Sequence, residues 1–190
     1  MRPKDEDKVG RIYQAAMKVI NREGFQGSSM TKIATEAELS PATIYLYFEN
    51  KEDMIDKLFI HLNSKMGNSY FNQESDLSPS KGTFRTLWLN HYKYIIENQE
   101  EYAFLENFSN CPLIHHIGKE NKHDYCASMD KLFEQSKSVK LIQSMHNDII
   151  YSLLFAPISS MVKKSSSMGT TLTTNELIQI FDASWKAVSL

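Results

Sequence analysis

The chain has 190 residues, of which 42% are hydrophobic and 23% charged, so it is long enough to bury the core of one or two compact units. Its formal net charge of -2 excludes a protein that coats nucleic acid through a strongly basic surface, although a local basic face could still bind phosphates. Two cysteines are too few to staple a fold of this length, and no apolar run has the character of a membrane span or signal peptide. We therefore expect a cytoplasmic protein with no structural disulfide and no membrane partner.

Helical periodicity dominates the chain. Apolar residues recur at spacings of three and four positions, and the sustained alternation that marks β-strands is almost absent. A first helix carries an apolar stripe between Val9 and Ile20 and ends near Gly24, after which Ser29 is placed to cap a short second helix. We therefore predict an all-α fold.

Two further helix starts follow closely. Ser40 and Pro41 form a favourable N-cap and first-turn pair for a third helix, which we expect to end near Phe48. Asn50 is placed to cap a long fourth helix, with Asp53 three residues later in an arrangement like a capping box. The sequence therefore predicts a short helix between two strong helix starts.

The rest of the chain divides at a polar segment. Residues 72–82 combine serines with proline and glycine, and we interpret them as a linker between an N-terminal unit and a larger helical unit. Beyond it the pattern predicts a fifth helix over residues 84–95 and a less regular stretch from residue 110 to about residue 133. A helix with apolar residues from Leu141 to Ile158 follows. A flexible loop over residues 163–175 then leads to a last helix over residues 177–188.

The first three helices have the layout of a helix-turn-helix. A tight turn separates the second helix from the third, and in such motifs the later helix enters the DNA major groove with its N-terminal residues at base edges. Here this recognition helix would be Pro41–Phe48, with Ile44 and Phe48 facing the core because they are four residues apart. Taken alone, a short tyrosine-rich helix is more often half-buried packing than a DNA contact.

The side chains of this helix nevertheless suit a DNA-facing role. Ala42 and Thr43 are small enough for close approach and can contact a thymine methyl group, while Thr43, Tyr45 and Tyr47 offer hydroxyls to phosphate oxygens. Lys51 lies at the start of the fourth helix, where free backbone N–H groups favour a bound phosphate. The pattern therefore predicts a nucleic-acid-binding face.

The segment SSMTKIATEAELSPATIYLYFENKEDM resembles the DNA-binding segment of the TetR family of bacterial transcriptional regulators. The resemblance covers about residues 8–60, and the remainder of the chain resembles the family only in helical character and length. It rests on Ile33-Ala34, Ser40, Thr43-Ile44-Tyr45, Tyr47-Phe48 and Asn50-Lys51-Glu52.

This resemblance implies a homodimer that places one recognition helix per subunit in successive major grooves of a palindromic operator in double-stranded DNA. It also implies a helix-turn-helix DNA-binding domain over residues 1–51 and a ligand-binding and dimerisation domain over residues 52–190. The family's DNA contacts would fall on Ser29, Thr31, Lys32, Ser40, Ala42, Thr43, Tyr45, Tyr47 and Lys51.

Two residues depart from the family pattern. Met30 stands where a second threonine is frequent, which removes one hydroxyl contact to phosphate. Glu38 stands in the turn where glycine is frequent, and a positive φ there would cost a non-glycine residue about 1 kcal/mol. Neither departure overturns the predicted class.

The resemblance further implies an effector pocket and a dimer interface in the C-terminal half. An apolar pocket with a few polar groups is typical of small-molecule sites, although an aromatic stripe at helical spacing is more often ordinary core. The pocket candidates are Trp88, His91, Tyr92, Tyr102, Phe104, Phe108 and Met145. The last two helices can pair with their partner's in a four-helix bundle, or can pack only within one chain. The interface candidates are Ile149, Leu153, Phe181 and Trp185.

A group of metal-ligand side chains offers a different interpretation. Five of them fall within sixteen residues: Cys111, His115, His116, His123 and Cys126. Metal binding or a thiol switch is conceivable, but the spacing does not match a zinc finger, and buried thiols with solvent-facing histidines are the simpler interpretation. We therefore expect no metal and no cofactor.

We predict a ligand-responsive transcriptional repressor that an unidentified small-molecule effector releases from its operator. No catalytic residues are expected, since nothing supplies an oxyanion hole, an orienting acid or a glycine-rich phosphate loop at a recognisable spacing. Two alternatives remain: a metal- or thiol-redox-sensing regulator that uses the cysteine and histidine group, and an effector-independent DNA-binding interaction protein.

Overall fold

The computed structural model describes residues 3–71, 77–109 and 124–190, and the side chains of residues 7–71, 77–108 and 127–190. Within these ranges the regular elements are α-helices, which confirms the predicted all-α class. None of these helices is both long and apolar enough to cross a membrane. The helices are α1 (Pro3–Gly27), α2 (Met30–Glu36), α3 (Pro41–Ile44), α4 (Lys51–Phe71), α5 (Lys81–Glu97), α6 (Gln99–Ser109), α7 (Asp124–Ser138), α8 (Asn147–Ser167) and α9 (Thr174–Val188).

The chain divides into two compact units. The first comprises Met1–Asn63 with Gln99–Asn121, and the second comprises Ser64–Asn98 with Lys122–Leu190. The division falls inside α4, so this one helix contributes residues to both units.

The first unit has a core that supports the predicted recognition helix. Helix α1 packs against α2 and α6, and α2 packs against α3. The centre of the Phe108 ring lies between 5.3 and 6.4 Å from the ring centres of Phe25, Phe59 and Phe104, so these four rings form one aromatic cluster. The fully buried aliphatic side chains include Ile12, Ile33, Ile44, Met54 and Leu58.

The second unit is built around α5, which packs against both α8 and α9. Trp88 of α5 is only 1% exposed, and its indole Nε1 donates to the carbonyl oxygen of Leu154 at 3.0 Å. The Trp88 ring also meets Phe181 edge-on at 5.6 Å between centroids. This tryptophan therefore ties α5 to both of the last two helices.

The predicted helix starts are confirmed. The side-chain oxygen of each capping residue accepts the backbone N–H three positions later, at 3.3 Å for Ser29, 3.2 Å for Ser40 and 2.8 Å for Asn50. Asp53 Oδ2 reaches back to the backbone N–H of Glu49 at 2.9 Å, one residue before the cap, as in a slightly widened capping box. Local sequence therefore determines where these helices begin.

The third helix is shorter than predicted. Helix α3 ends at Ile44, and the N–H groups of Leu46 and Tyr47 bond to carbonyls three residues earlier instead of four. The N–H of Phe48 returns to the four-residue spacing on Ile44 at 3.1 Å. The chain thus keeps a helical sense to Phe48 in a tighter form, because Ile44 and Phe48 are both drawn into the core.

The start of α8 also differs from the prediction. We expected this helix to include Leu141, but it begins at Asn147. Lys140 has a φ of 56°, which ends the preceding helical turn. The chain then extends, and the N–H of Gln143 donates to the carbonyl oxygen of Val188 at 2.8 Å. The apolar pattern here reflects an extended segment that packs on α9, not a helix face.

Two segments predicted as irregular are partly helical. Helix α7 occupies Asp124–Ser138 and so overlaps the stretch that we expected to be less regular as far as residue 133. Helix α8 continues to Ser167, inside the predicted flexible loop, and ends before Gly169, whose φ is 67°. Serines and lysines tolerate a solvent-exposed last turn, and glycine supplies the left-handed residue that ends it.

Candidate nucleic-acid interface

The turn that leads into α3 contains a residue in the left-handed region. Glu38 has a φ of 55°, so the strain expected for a non-glycine residue at this position is present. Arg11 Nη2 donates to the carbonyl oxygen of Ala37 at 2.6 Å and lies 3.8 Å from Glu38 Oε2. The Arg11 guanidinium therefore satisfies the end of α2, while its exposed pairing with Glu38 contributes little stability.

Replacing Glu38 with glycine is expected to relieve this backbone strain. A Glu38→Gly variant should have a free energy of unfolding about 1 kcal/mol higher than a Glu38→Ala variant, because alanine keeps the left-handed strain. Both variants lose the contact with Arg11, so their difference isolates the backbone effect. Urea unfolding of the two variants measures it, and equal stabilities would contradict a positive φ as the cause.

The recognition segment, Ser40–Phe48, presents one face to solvent and one to the core. Ile44 and Phe48 are at most 3% exposed, whereas Tyr45 is 55% exposed and Leu46 is 80% exposed. Ala42 is exposed, and Thr43 and Tyr47 are half-buried. The structure thus places the predicted contacts Ala42, Thr43, Tyr45 and Tyr47 on one short segment that the core holds from behind.

Leu46 is not among the predicted contacts of this segment, which are small or hydroxyl-bearing residues. A signal for it was available in the sequence. Ile44 and Phe48 define the buried face, and Leu46 lies midway between them in sequence, about 200° from each around a helix of 3.6 residues per turn. The most exposed side chain of the segment is therefore apolar.

The hydroxyls of the recognition segment are partly used within the protein. Ser40 Oγ accepts the N–H of Thr43 and lies 2.8 Å from Thr43 Oγ1, so the cap and the first predicted base-contacting side chain form one hydrogen-bonded pair. This pair fixes the Thr43 side chain before any DNA is bound. Its methyl group and its oxygen are therefore held in one orientation.

Helix α2 carries the other predicted contacts. Ser29 is half-buried as the cap, and Thr31 and Lys32 are exposed, whereas Met30 is only 8% exposed and belongs to the core. Lys32 Nζ donates to Glu23 Oε2 at 2.6 Å and to the carbonyl oxygen of Gly27 at 2.8 Å. The Lys32 ammonium is therefore oriented by α1.

The acidic partner of Lys32 is shared. The pKa of Glu23 is lowered below its usual value, mainly by its hydrogen bond with Lys32 and next by that with Arg22. The pKa of Arg22 is raised, mainly by its hydrogen bond with Glu23 and next by that with Glu36. Both cations are exposed and both carboxylates are partly exposed, so the pairs are screened by solvent and salt. Two cations and two carboxylates therefore balance along this edge of α1 and α2.

Lys51 is held by the end of α1. Its Nζ donates to the carbonyl oxygens of Phe25 at 3.0 Å and Ser28 at 3.2 Å, and lies 4.2 Å from the centre of the Phe25 ring. Gly24, with a φ of 73° and a ψ of 170°, interrupts α1 just before these residues, so their carbonyls belong to a separate final turn and can accept from a cation. The ammonium that we expected to meet a phosphate is therefore engaged by the protein itself.

The pocket candidates are distributed over both units. Trp88, His91, Tyr92 and Met145 belong to the second unit, whereas Tyr102, Phe104 and Phe108 belong to the first. Phe104 and Phe108 are stacked at 5.5 Å and are buried as core, and Trp88 is buried against α8 and α9. The side chains of Tyr92, Tyr102 and Met145 are half-buried.

His91 belongs to a buried polar chain in the second unit. The hydroxyl of Tyr70 on α4 and His91 Nδ1 are hydrogen-bonded, and His91 Nε2 lies 2.9 Å from Ser159 Oγ on α8. Burial lowers the pKa of His91 to about 3, so the ring is neutral near pH 7. This row of uncharged hydrogen bonds links the end of α4 to α5 and α8.

The predicted interface residues separate into two groups. Phe181 and Trp185 lie in their own unit's core, where Trp185 is 5.2 Å from the Phe84 ring and Phe181 packs on Trp88. They do not form an exposed apolar face, because α5 already covers them. Ile149 is 51% exposed and Leu153 is 36% exposed, and α9 adds Ile178 at 42%, which the sequence analysis did not single out.

The cysteine and histidine group falls outside the description of the structure. Cys111, His115, His116 and His123 lie outside the described residues, and Cys126 is described only as part of the α7 backbone. Over the side chains that the structure describes, no three histidine, cysteine or acidic groups are placed to hold a metal ion.

A capped recognition helix after a tight turn, supported by a buried three-helix core, defines the helix-turn-helix class of DNA-binding regulators. Residues 12–58 match the family model described as bacterial regulatory proteins, tetR family, and residues 79–189 match that of the tetracyclin repressor-like, C-terminal domain. The chain belongs to the TetR family of transcriptional regulators. Proteins of this family are DNA-binding regulators and not enzymes.

Several known proteins are similar to this chain. An uncharacterised HTH-type transcriptional regulator of Haemophilus influenzae is 25% identical over 189 residues, which is 99% of each chain. The fatty acid metabolism regulator protein of Bacillus subtilis is 41% identical over 70 residues, 37% of this chain and 34% of that protein. The crystal structure of a TetR family regulator from Marinobacter aquaeolei VT8 has a TM-score of 0.90 at 24% identity, covering 100% of this chain and 99% of its own.

Proposed function

We propose that the chain is a repressor that binds a palindromic operator as a homodimer and is released when a small-molecule effector binds its C-terminal domain. The observation that carries the proposal is the recognition segment, whose buried residues Ile44 and Phe48 hold an exposed face in a fixed orientation. The proposed DNA-binding domain spans residues 1–51, and the effector-binding and dimerisation domain spans residues 52–190. The proposed contacts are Ser29, Thr31, Lys32, Ser40, Ala42, Thr43, Tyr45, Tyr47 and Lys51.

Two-fold symmetry is part of the proposal for a physical reason. A single short recognition helix makes few contacts, and regulators of this class gain affinity and specificity by placing two helices in successive major grooves. The exposed apolar residues Ile149, Leu153 and Ile178 support a self-association surface on α8 and α9. The proposed dimer therefore buries side chains that a monomer would leave in water.

Effector control would act through α4, the helix that contributes to both units. In the proposed mechanism the effector binds one dimer conformation more tightly, and in that conformation the recognition helices no longer fit successive grooves. The relative described as a fatty acid metabolism regulator does not identify this effector, because its similarity covers only 37% of the chain.

Selection of bound sequences from random double-stranded DNA tests the proposal. We expect a palindromic consensus whose half-sites are one helical turn or a small multiple apart, and binding that weakens steeply as salt is raised. A Ser40→Pro variant, which loses the cap and its pairing with Thr43, serves as the negative control. A non-palindromic consensus, or none, would favour a DNA-binding interaction protein of the same fold.

A further inference from the structure

The recognition segment lacks the side chains that usually identify bases. Ser40–Phe48 reads SPATIYLYF and contains no arginine or lysine for guanine, no asparagine or glutamine for adenine, and no acid for cytosine. Its remaining chemistry is hydroxyl and apolar. The base-edge feature in the major groove that an apolar side chain recognises is the C5-methyl group of thymine.

Leu46 occupies the centre of the exposed face. Successive residues of a helix are separated by about 100°, so Leu46 points away from the buried pair Ile44 and Phe48, and Ala42 lies one turn earlier on the same side. The N–H groups of Tyr45 and Phe48 bond four residues back, to Pro41 and Ile44, whereas the N–H of Leu46 bonds three residues back, to Thr43, so the segment keeps a helical sense that is slightly tighter at Leu46. The 80% exposure of Leu46 agrees with the position.

Neighbouring side chains do not cover Leu46 or give it another task. A single exposed leucine is ordinary on a protein surface, so exposure alone carries no inference. The location makes the difference: the side chain stands on the DNA-facing helix, where it can neither donate to a phosphate nor carry charge. Thr43, three residues earlier and hydrogen-bonded to Ser40, adds a second methyl-bearing side chain to the segment.

We propose that Leu46 and Ala42 form a thymine-reading patch, which recognises the C5-methyl groups of thymine in each operator half-site. The inference rests on the proposed operator binding and adds its specificity: the half-site is distinguished by thymine methyl groups, and not by bidentate hydrogen bonds to guanine. Leu46 is then a specificity-determining residue, and the hydroxyl of the adjacent Tyr45 contributes affinity by contacting a phosphate of the DNA backbone.

The test removes single methyl groups from the DNA. After the operator has been selected with the native protein, each thymine of one half-site and its symmetry mate is replaced by deoxyuridine, which lacks only the C5-methyl group. We expect binding to weaken about tenfold to twentyfold at one or two thymine positions, because each modified operator lacks two symmetry-related methyl groups and burying one methyl group is worth about threefold to fivefold. The other thymines should be insensitive.

Protein variants assign the effect to Leu46. A Leu46→Ala variant should bind the thymine and deoxyuridine operators equally at the sensitive position, whereas a Tyr45→Phe variant should keep the full difference. Because Leu46 is exposed, its truncation should leave the thermal unfolding of the protein unchanged. A double-mutant cycle between the variant and the methyl group gives the coupling directly.

The possible outcomes separate the two proposals. A palindromic operator whose thymines are all insensitive to methyl removal, or whose sensitivity persists at every position in Leu46→Ala, would overturn the thymine-reading patch and leave operator binding intact. Half-sites without thymine would also overturn it. Failure to select any palindrome would overturn operator binding, and the patch with it.

Discussion

A Leu153→Glu variant is expected to be monomeric and to bind the operator at least about a hundredfold more weakly than the native chain. Leu153 and Ile149 are four residues apart on α8, so both lie on one exposed face of that helix. In a two-fold interface each substitution occurs twice, and two carboxylates would then be buried among apolar side chains without a partner. The dimer would lose stability while each protomer kept its own core.

Loss of the dimer should lower the affinity for the operator because the two half-sites are then bound independently. When one recognition helix is bound, the dimer presents the second at an effective concentration of the order of millimolar, so the two half-sites reinforce each other. A monomer must bind each half-site independently. Sedimentation analysis measures the association state, and gel-shift titration on full and half operators measures the two affinities.

A matched control comes from α5. Leu89 is 40% exposed, close to the value for Leu153, but lies outside the proposed interface, so Leu89→Glu introduces the same charge at an equally exposed leucine. We expect that variant to remain dimeric with native operator affinity. A dimeric Leu153→Glu variant, or a Leu89→Glu variant that is equally monomeric, would place the interface elsewhere than α8.

Features that depend on neighbouring residues were predictable from the sequence. Ser29, Ser40 and Asn50 cap the helices that they were predicted to cap, because a cap needs only an oxygen and an N–H three residues later. The burial of Ile44 and Phe48 followed in the same way from their spacing. The all-α class is the sum of many such local signals.

Features that depend on distant residues were not predictable. The amphipathic pattern of α9 showed that Phe181 and Trp185 are buried but could not show that α5 of the same chain buries them. The segment around Gln143 looked helical because its apolar residues pack on α9, with a hydrogen bond to Val188 far along the chain. Periodicity reports that a face is covered, and tertiary structure determines by what.

The role of the Lys51 side chain also depends on distant residues, because sequence and structure assign it different roles. By sequence it is a phosphate ligand at the start of α4, and by structure its ammonium ties α4 to the carbonyls of Phe25 and Ser28 at the end of α1. The recognition segment ends only three residues before Lys51. The tie therefore fixes where the segment leaves the core, and a loss of DNA binding in a Lys51 variant could have either cause.

A Lys51→Met variant is expected to lose about 2 kcal/mol of folding stability and to bind the operator more weakly, with an unchanged dependence on salt. Methionine keeps an apolar stem against Phe25 but removes two charge-assisted hydrogen bonds, which leaves the Phe25 carbonyl only its hydrogen bond from the Ser28 hydroxyl and takes the ammonium from the Ser28 carbonyl. A lysine that neutralised a phosphate would instead contribute about 0.9 to the slope of log affinity against log salt concentration.

Urea unfolding and operator titrations over a range of salt concentrations separate these roles for Lys51. Lys57→Met is the control: Lys57 lies on the same helix in an exposed pair with Asp53, and its loss should cost less than about 0.5 kcal/mol. If Lys51→Met flattens the salt slope by about one unit and leaves stability intact, the lysine leaves α1 to bind phosphate. If the slope holds and stability falls, Lys51 acts on DNA by positioning the recognition segment.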